Sequence, residues 1–254
     1  MKKSTLHPAV VRTGLTALSV VAMLAVWELA VRSLQLPQWI LPSPASIVQV
    51  ANEWRQDLLV HSWVTLYETL VGFAAAVALA LPLAMLIAFT PLLKHTIYPA
   101  LLVLQSVPKV AIAPLITLWA GFGVLPKIIV VFLVCFFPII VSATAGLESA
   151  SRGRMDLMRS LRASRWQTFW RLRLPQAMPQ IMVGCKVGIT FAVIGAVIGE
   201  FVGSEQGLGF LILTATAQSN TPLAFSALVA LTVISIVLYY LVERAEKLLV
   251  RWSD

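Results

Sequence analysis

The chain has 254 residues, of which 59% are hydrophobic and only 12% charged, and its mean hydropathy is +0.88. This balance excludes an ordinary soluble domain and is typical of a polytopic membrane protein. The net charge of +8 does not indicate nucleic-acid binding, because the basic residues fall between and beside apolar runs, where they act as orientation signals.

The first sixty residues predict one membrane span and one interfacial helix. A short basic arm, residues 1–13, precedes an apolar run over residues 14–34, which is long enough to cross a bilayer and longer than the apolar part of a secretory signal. Prolines at 37, 42 and 44 then interrupt the chain. With Ser43 as N-cap and Pro44 in the first helical position, residues 44–59 predict an amphipathic helix along the membrane surface. We treat residues 1–60 as one unit and residues 61–254 as the core of the protein.

The core carries five further apolar runs, so the fold class is all-α with six transmembrane helices. These runs cover residues 62–89, 97–120, 127–147, 181–202 and 222–242, with predicted turns at 90–96 and 121–126. Pro99, Pro108 and Pro114 predict that the third span is bent or broken. Residues 210–220, between the last two spans, predict a short or re-entrant helix.

Residues 148–179, which we call the basic segment, form the one long polar interruption between the apolar runs. Near its end the segment carries a Leu-Pro pair, Leu174-Pro175. It contains seven arginines, Arg152, Arg154, Arg159, Arg162, Arg165, Arg171 and Arg173. Its apolar residues predict one or two short amphipathic helices that are too short to cross the bilayer. Such a segment binds either an anionic lipid surface or a protein partner. Because most lysines and arginines lie on the side that holds both termini and the basic segment, that side is predicted to be cytoplasmic.

A few polar residues lie within the apolar runs. Glu200, Glu68, Gln105 and Lys109 are candidates for a substrate pathway or a gate, because polar groups are costly inside a bilayer. Glu200 is close enough to the end of its span that it could instead reach the interface. Small residues recur at intervals of three or four along the fifth span, at Gly184, Gly188, Ala192, Gly195, Gly199 and Gly203. They indicate close helix packing, and the alternatives are contact with a second copy or the seam of a moving pathway.

The sequence contains no motif for covalent chemistry, nucleotide binding or a metal site. It lacks a phosphate-binding loop, and the cysteines, Cys135 and Cys185, lie in apolar runs, where they are typical of core residues. We therefore expect no cofactor and no enzymatic activity. If the protein moves a solute uphill, the energy must come from a partner or from an ion gradient.

The basic segment resembles a loop of a known family. Residues 155–179, MDLMRSLRASRWQTFWRLRLPQAMP, resemble the cytoplasmic EAA loop of the inner-membrane permease subunits of bacterial ABC importers. The resemblance extends through LPSP at 41–44, QSVPKVAIAPL at 105–115, GFGVLPK at 121–127 and IGAVIGEFVGSEQGLGFLI at 194–212. These motifs are similar to those of the branch that takes up nitrate, sulfonates, taurine and pyrimidine or other vitamin precursors. Within this branch, the sequence DLMRS at 156–160 favours thiamine-precursor pyrimidines and riboflavin as substrates.

The resemblance also assigns roles within the basic segment. In the family, the loop carries an acidic residue followed by two alanines, and a glycine four positions beyond this triplet. The triplet falls here on Asp156, Leu157 and Met158, and the glycine falls on Arg162, followed by Ala163 and Ser164. Because glycine tolerates backbone angles that other residues avoid, either the turn at Arg162 uses ordinary angles or the coupling contact is altered. We expect Trp166 and Phe169 to anchor the segment, and Asp156, Arg159 and Arg165 to contact an ATPase.

By resemblance, the chain has the type I ABC importer permease fold and works by alternating access in the bacterial inner membrane. The implied partners are a second copy of the chain, cytoplasmic ATPase subunits, an extracytoplasmic substrate-binding protein and membrane lipid. Two alternatives are an ion-driven secondary transporter that acts without an ATPase and a membrane scaffold without transport activity.

Overall fold

The computed structural model describes residues 8–250, which form eleven α-helices with no strand among them. In chain order the helices are α1 (Pro8–Ser33), α2 (Pro44–Glu53), α3 (Arg55–Phe89), α4 (Pro91–Gln105), α5 (Lys109–Ala120), α6 (Val124–Glu148), α7 (Arg152–Ser160), α8 (Arg165–Thr168), α9 (Leu174–Phe201), α10 (Leu208–Ala217) and α11 (Thr221–Leu249). A π-helical turn, Phe169–Arg173, joins α8 to α9 without a break.

Four stretches of helix are long and apolar enough to cross a membrane, and the bent pair α4–α5 makes a fifth if it is counted as one span. The four are Arg55–Phe89, Val124–Glu148, Arg165–Phe201 and Thr221–Leu249. This confirms the all-α, polytopic fold class. The predicted first span coincides with α1, whose 26 residues are enough to cross. The total of six spans stays a prediction, and most of the predicted basic arm lies outside the described residues.

The core of the bundle lies where α6 packs against α9 on one side and α3 on the other. Val131, Ile139 and Ile140 of α6 are fully buried there, as are Ala192 and Ala196 of α9. The small side chains on α9 let the two helix axes approach closely, so that larger α6 side chains such as Ile139 pack directly against the α9 backbone. The α6–α9 pair is thus the scaffold that positions both ends of the bundle.

The junction between α2 and α3 corrects one predicted boundary. The helix begins as predicted, with Pro44 first and the Ser43 Oγ accepting the Ser46 N–H at 3.2 Å. It ends at Glu53 rather than at residue 59, because the chain turns at Trp54 and α3 starts at once with Arg55. The second span is therefore longer than predicted and runs through residue 60. The division of the chain after that residue stays a prediction.

The third predicted span is broken, as its prolines indicated. Helices α4 and α5 meet at an angle of 97°, and the break lies at residues 106–108, where Pro108 has no N–H to continue α4. The turn predicted at residues 90–96 is wrong except for Thr90, since α4 already begins at Pro91. Proline is well tolerated in a first helical position, where its missing N–H would have no partner.

Candidate functional site

The basic segment folds as α7, a short turn and α8, and then continues through the π-helical turn into α9. The helix runs through the Leu174-Pro175 pair without a break, so the fifth span begins before residue 181, where it was predicted to start. A proline ring normally clashes with the carbonyl four residues before it. Here Leu174 donates its N–H to the Phe169 carbonyl five residues back, and this wider turn accommodates the ring. The basic segment is therefore continuous with a membrane span.

The turn between α7 and α8 uses a left-handed backbone conformation at Arg162, with φ of 51°. The Ala163 N–H donates to the Met158 carbonyl at 3.0 Å, and the Arg162 N–H donates to the Arg159 carbonyl at 2.9 Å. These two bonds form a Schellman motif, in which glycine is the usual residue at the left-handed position. Of the two alternatives posed above, ordinary backbone angles are excluded. The arginine adopts the conformation that favours glycine.

Helix α8 starts with a capping box. The Ser164 Oγ accepts the Gln167 N–H at 3.1 Å, and the Gln167 Oε1 accepts the Ser164 N–H at 2.9 Å. Because the pair satisfies two backbone donors reciprocally, it fixes the direction in which α8 leaves the turn. Together with the Schellman motif it sets α7 and α8 in a defined geometry despite their short lengths.

Phe169 anchors the basic segment to the bundle. Its side chain is only 1% exposed and packs against Phe89 at the end of α3, with ring centroids 5.0 Å apart. Trp166, which we expected to be a second anchor, is 64% exposed and stacks on Phe169 from outside at 6.1 Å. Within one chain Phe169 is therefore the buried anchor, and Trp166 is available to a partner.

The remaining predicted coupling residues lie on the outside of the segment. Asp156 and Leu157 are exposed, and Met158 is half-buried. The Asp156 Oδ1 accepts a 2.9 Å bond from Arg159 Nη1, and both side chains are mostly exposed, so this ion pair contributes little stability. Arg165 is exposed as well. The segment thus presents charged side chains on a surface that its backbone holds rigid.

A second polar cluster lies at the opposite end of the bundle. Helix α6 places Lys127 in its first turn and Glu148 at its end, about 32 Å apart at 1.5 Å per residue. Lys127 forms an ion pair with Glu68 of α3, and their side chains are 8% and 0% exposed. The Lys127 Nζ also donates to the Ser204 Oγ at 3.0 Å. A buried pair of this kind is costly to break, because either charge alone would be left without compensation.

Glu200 holds the loop between α9 and α10 against this cluster. Its Oε1 accepts the Thr65 hydroxyl at 2.6 Å, and its Oε2 accepts the N–H of Gly209. A Cβ at Gly207, where φ is 114°, would overlap the Glu200 carboxylate. Glu200 itself is 1% exposed, so it does not reach the interface.

Two more bonds tie the same loop to α3. The Leu208 N–H donates to the Thr65 Oγ at 2.9 Å, and the Gly207 N–H donates to the His61 Nδ1 at 2.9 Å. These bonds satisfy the first backbone donors of α10, which have no partner within the helix. Helix α10 is thus fixed to α3 and α9 through polar side chains.

Gln105 and Lys109 lie together at the break between α4 and α5. The Lys109 Nζ donates to the Gln105 carbonyl and lies 5.2 Å from the centroid of the Phe137 ring. The ammonium group thus compensates a carbonyl at the end of α4 that the break leaves without a helical partner. Within residues 8–250, no hydrogen bond or ion pair joins this pair to the Glu68 cluster, and no three His, Cys, Asp or Glu side chains come together as metal ligands.

The predicted glycine stripe packs within the chain. A Cβ at Gly188 would meet the Ile139 side chain, one at Gly195 would lie 2.9 Å from the Val131 Cα, and one at Gly199 would lie 3.0 Å from the Lys127 Cα. These three glycines therefore face α6, which favours helix packing over contact with a second copy. Gly203 lies just beyond α9, in a turn with φ of 126°, so it is not part of the helix face.

Reasoning from sequence missed Lys127, Thr65 and His61. Lys127 lies at the start of an apolar run, where a lysine ordinarily reaches the membrane surface, yet it is buried with Glu68. The sequence did contain a useful signal. Glu68, Lys127 and Glu200 belong to three different apolar runs, and the predicted topology places all three near the same side of the membrane. A buried charge of one sign generally requires a partner of the other sign.

Comparison with known proteins supports a transport role. Residues 76–253 match the family model described as "Binding-protein-dependent transport system inner membrane component". The riboflavin transport system permease protein RibX of Chloroflexus aurantiacus is 37% identical over 91% of this chain and 87% of its own. The formylaminopyrimidine transport permease protein ThiX of Halalkalibacterium halodurans is 30% identical over 91% of this chain and 92% of its own.

A solved structure shares the fold. The inward-facing MetNI methionine ABC transporter contains a chain that superposes with a TM-score of 0.63 and covers 78% of this chain and 97% of that one. The two sequences are 20% identical, so the likeness concerns the fold alone.

Proposed function

The chain belongs to the binding-protein-dependent transport system inner membrane components, the permease subunits of ABC importers, and we propose that its basic segment receives ATP-driven movement from a separate ATPase. A permease of this family is a transport subunit rather than an enzyme, which confirms the expectation from sequence. The observation that carries the proposal is the rigid connection between the segment and the spans.

This connection has three parts. The Schellman motif at Arg162 and the capping box at Ser164 fix α7 relative to α8, and the π-helical turn makes α8 continuous with α9. Phe169 then packs the segment against the end of α3. A force applied to exposed residues such as Asp156 and Trp166 is transmitted to two spans, because no flexible linker intervenes.

We infer that the substrate is a pyrimidine precursor of thiamine or a riboflavin-like vitamin. The relatives named for riboflavin and formylaminopyrimidine share 37% and 30% identity with this chain, whereas those named for aliphatic sulfonates and taurine share 27%. In this proposal Gln105 and Lys109, at the break of the third span, line the pathway. Glu68 and Glu200 support the gate at the end opposite the basic segment.

The proposed assembly is a homodimer of permeases with cytoplasmic ATPase subunits and an extracytoplasmic substrate-binding protein. The distribution of lysine and arginine supports placing the basic segment and both termini in the cytoplasm. Substrate delivery by a separate protein agrees with the family to which the chain belongs.

The experiment is ligand-stimulated ATP hydrolysis by the complete importer in liposomes. Asp156→Arg reverses an exposed charge and Trp166→Ala removes an exposed ring, so both are expected to reduce stimulation at least five-fold while the permease still folds. Arg55→Gln, an exposed residue at the start of α3, is the control and keeps wild-type stimulation.

Two results would contradict the proposal. Wild-type coupling in both variants would show that the basic segment is not the ATPase contact. Uptake by this chain alone, abolished by an ionophore and indifferent to ATP, would instead establish an ion-driven transporter.

A further inference from the structure

A cavity of about 760 Å³ lies between the basic segment and the ends of three helices. Its walls come from the last turn of α3, the first turn of α4, the last turn of α6, and α7 and α8. The volume falls in the range of small-molecule binding sites, roughly 300–1,000 Å³. Because α3 and α6 are membrane-spanning helices, a cavity at their ends lies at the level of the lipid headgroups.

Positive charge dominates the lining. Four basic side chains line the cavity, Lys94, Arg159, Arg165 and Arg173, against one carboxylate, Glu148. Glu148 is paired with Lys94 at 2.8 Å, and Arg159 is paired with Asp156 at 2.9 Å. Two guanidinium groups thus remain without a carboxylate partner in the part of the chain that the structure describes.

The two uncompensated arginines differ in how they are held. The Arg173 Nη1 donates to the Ala88 carbonyl at 3.1 Å, which fixes the side chain against the end of α3, and its other donors have no acceptor within the described residues. Arg165 occupies the first position of α8, where its side chain has no hydrogen-bond acceptor among residues 8–250. Guanidinium groups bind phosphate oxygens with paired donors, so this arrangement suits a phosphate group better than a second carboxylate.

The rest of the wall is apolar. Ile87, Phe89, Leu147 and Met155 line the cavity beside the arginines. A free inorganic anion gains nothing from such a wall, whereas a phospholipid brings its glycerol and the first carbons of its acyl chains next to the phosphate. Basic pockets between membrane helices on a cytoplasmic face bind lipid headgroups for this reason.

We propose that this cavity is a binding site for the headgroup of an anionic phospholipid, with Arg165 and Arg173 contacting the phosphate. The headgroup bridges α8 and the start of α9 to the ends of α3 and α6. The site lies within one chain and requires no ATPase, so its failure would leave the proposed transport function untouched.

The test is phospholipid binding to the delipidated full-length chain, followed by native mass spectrometry. Phosphatidylglycerol and phosphatidylcholine with identical acyl chains are titrated separately. We expect phosphatidylglycerol to bind at least five-fold more tightly, and Arg165→Gln and Arg173→Gln each to weaken its binding about five-fold. Arg171→Gln removes the same charge from an exposed residue of the same segment that does not line the cavity, and it should change binding less than two-fold.

Four results would overturn the proposal. Equal binding of the two lipids would show no headgroup site, and an equal effect of Arg171→Gln would show diffuse attraction to the whole segment. Competition by millimolar inorganic phosphate would indicate a site for a soluble anion. An Arg165→Gln variant that binds lipid normally but loses affinity for the ATPase subunit would assign the charges to a protein partner. Arg165 is exposed, so this variant is expected to fold even if Arg173→Gln does not.

Discussion

Removing the charge of Lys127 should destabilise the protein more than any change to its exposed ion pairs. Lys127→Met keeps the unbranched stem of the side chain, and with it the packing of Cβ and Cγ against Gly199, but leaves Glu68 buried without a counter-charge. Loss of one partner of a buried pair costs about 3–5 kcal/mol. A similar change in the partly exposed pair of Lys94 and Glu148 costs about 0–1 kcal/mol.

The magnitude is measurable as a shift in thermal stability. For a chain of this size, 1 kcal/mol corresponds to about 2–4 °C in Tm, so Lys127→Met is expected to lower the Tm of the detergent-solubilised chain by roughly 10 °C. The double variant Lys127→Met with Glu68→Gln removes both charges and should recover at least half of that loss. Lys94→Met is the matched control and should lower the Tm by less than about 3 °C.

Two outcomes would refute this reasoning. If Lys127→Met and Lys94→Met lower the Tm equally, the Glu68–Lys127 pair is hydrated rather than buried. If the double variant is no more stable than Lys127→Met, the loss comes from packing or from the bond to Ser204 rather than from the uncompensated carboxylate.

Substitutions at three further positions, each with a comparison variant, test local features by thermal unfolding. Arg162→Gly should raise stability by about 0.5–1 kcal/mol because glycine suits the left-handed turn, and Arg162→Val should lower it; the reverse order would contradict the assigned φ. Phe169→Ala should cost about 3–5 kcal/mol, whereas Trp166→Ala should cost less than about 1 kcal/mol, and equal losses would mean that Phe169 is not the anchor. Gly207→Ala should cost at least about 2 kcal/mol because its Cβ would overlap the Glu200 carboxylate. Gly153→Ala, in open space on α7, should be neutral or slightly stabilising, and a neutral Gly207→Ala would place the loop away from Glu200.

The spans and their interruptions were predictable from local pattern. Apolar runs of about twenty residues indicate spans without reference to their partners, and Pro108 indicated the break between α4 and α5. The short helix between the last two spans was also predicted, at 210–220 against the observed Leu208–Ala217. Boundaries were less accurate: α3 begins seven residues earlier than predicted, and α9 begins at Leu174 rather than at residue 181.

Side-chain partners were much harder to predict. Glu68 and Glu200 were identified as costly groups within spans, yet the lysine that compensates Glu68 lies 59 positions further along the chain, and Thr65 contacts Glu200 across 135 positions. Such pairs depend on how the helices pack, and this packing cannot be read directly from a single sequence. Trp166 and Phe169 have the same apolar character in the sequence, and the fold alone buries one and exposes the other.

The sequence by itself determined that the chain is a bundle of apolar helices with a basic segment of permease type, because hydropathy, prolines and a run of arginines act locally. The tertiary structure decided what those residues do. It places Arg162 in the left-handed conformation, connects the basic segment rigidly to α9 and α3, and gathers Glu68, Lys127 and Glu200 into one buried cluster. These are relations between distant parts of the chain, and they arise only when the helices pack, since burial then leaves each charge and each backbone donor in need of a partner.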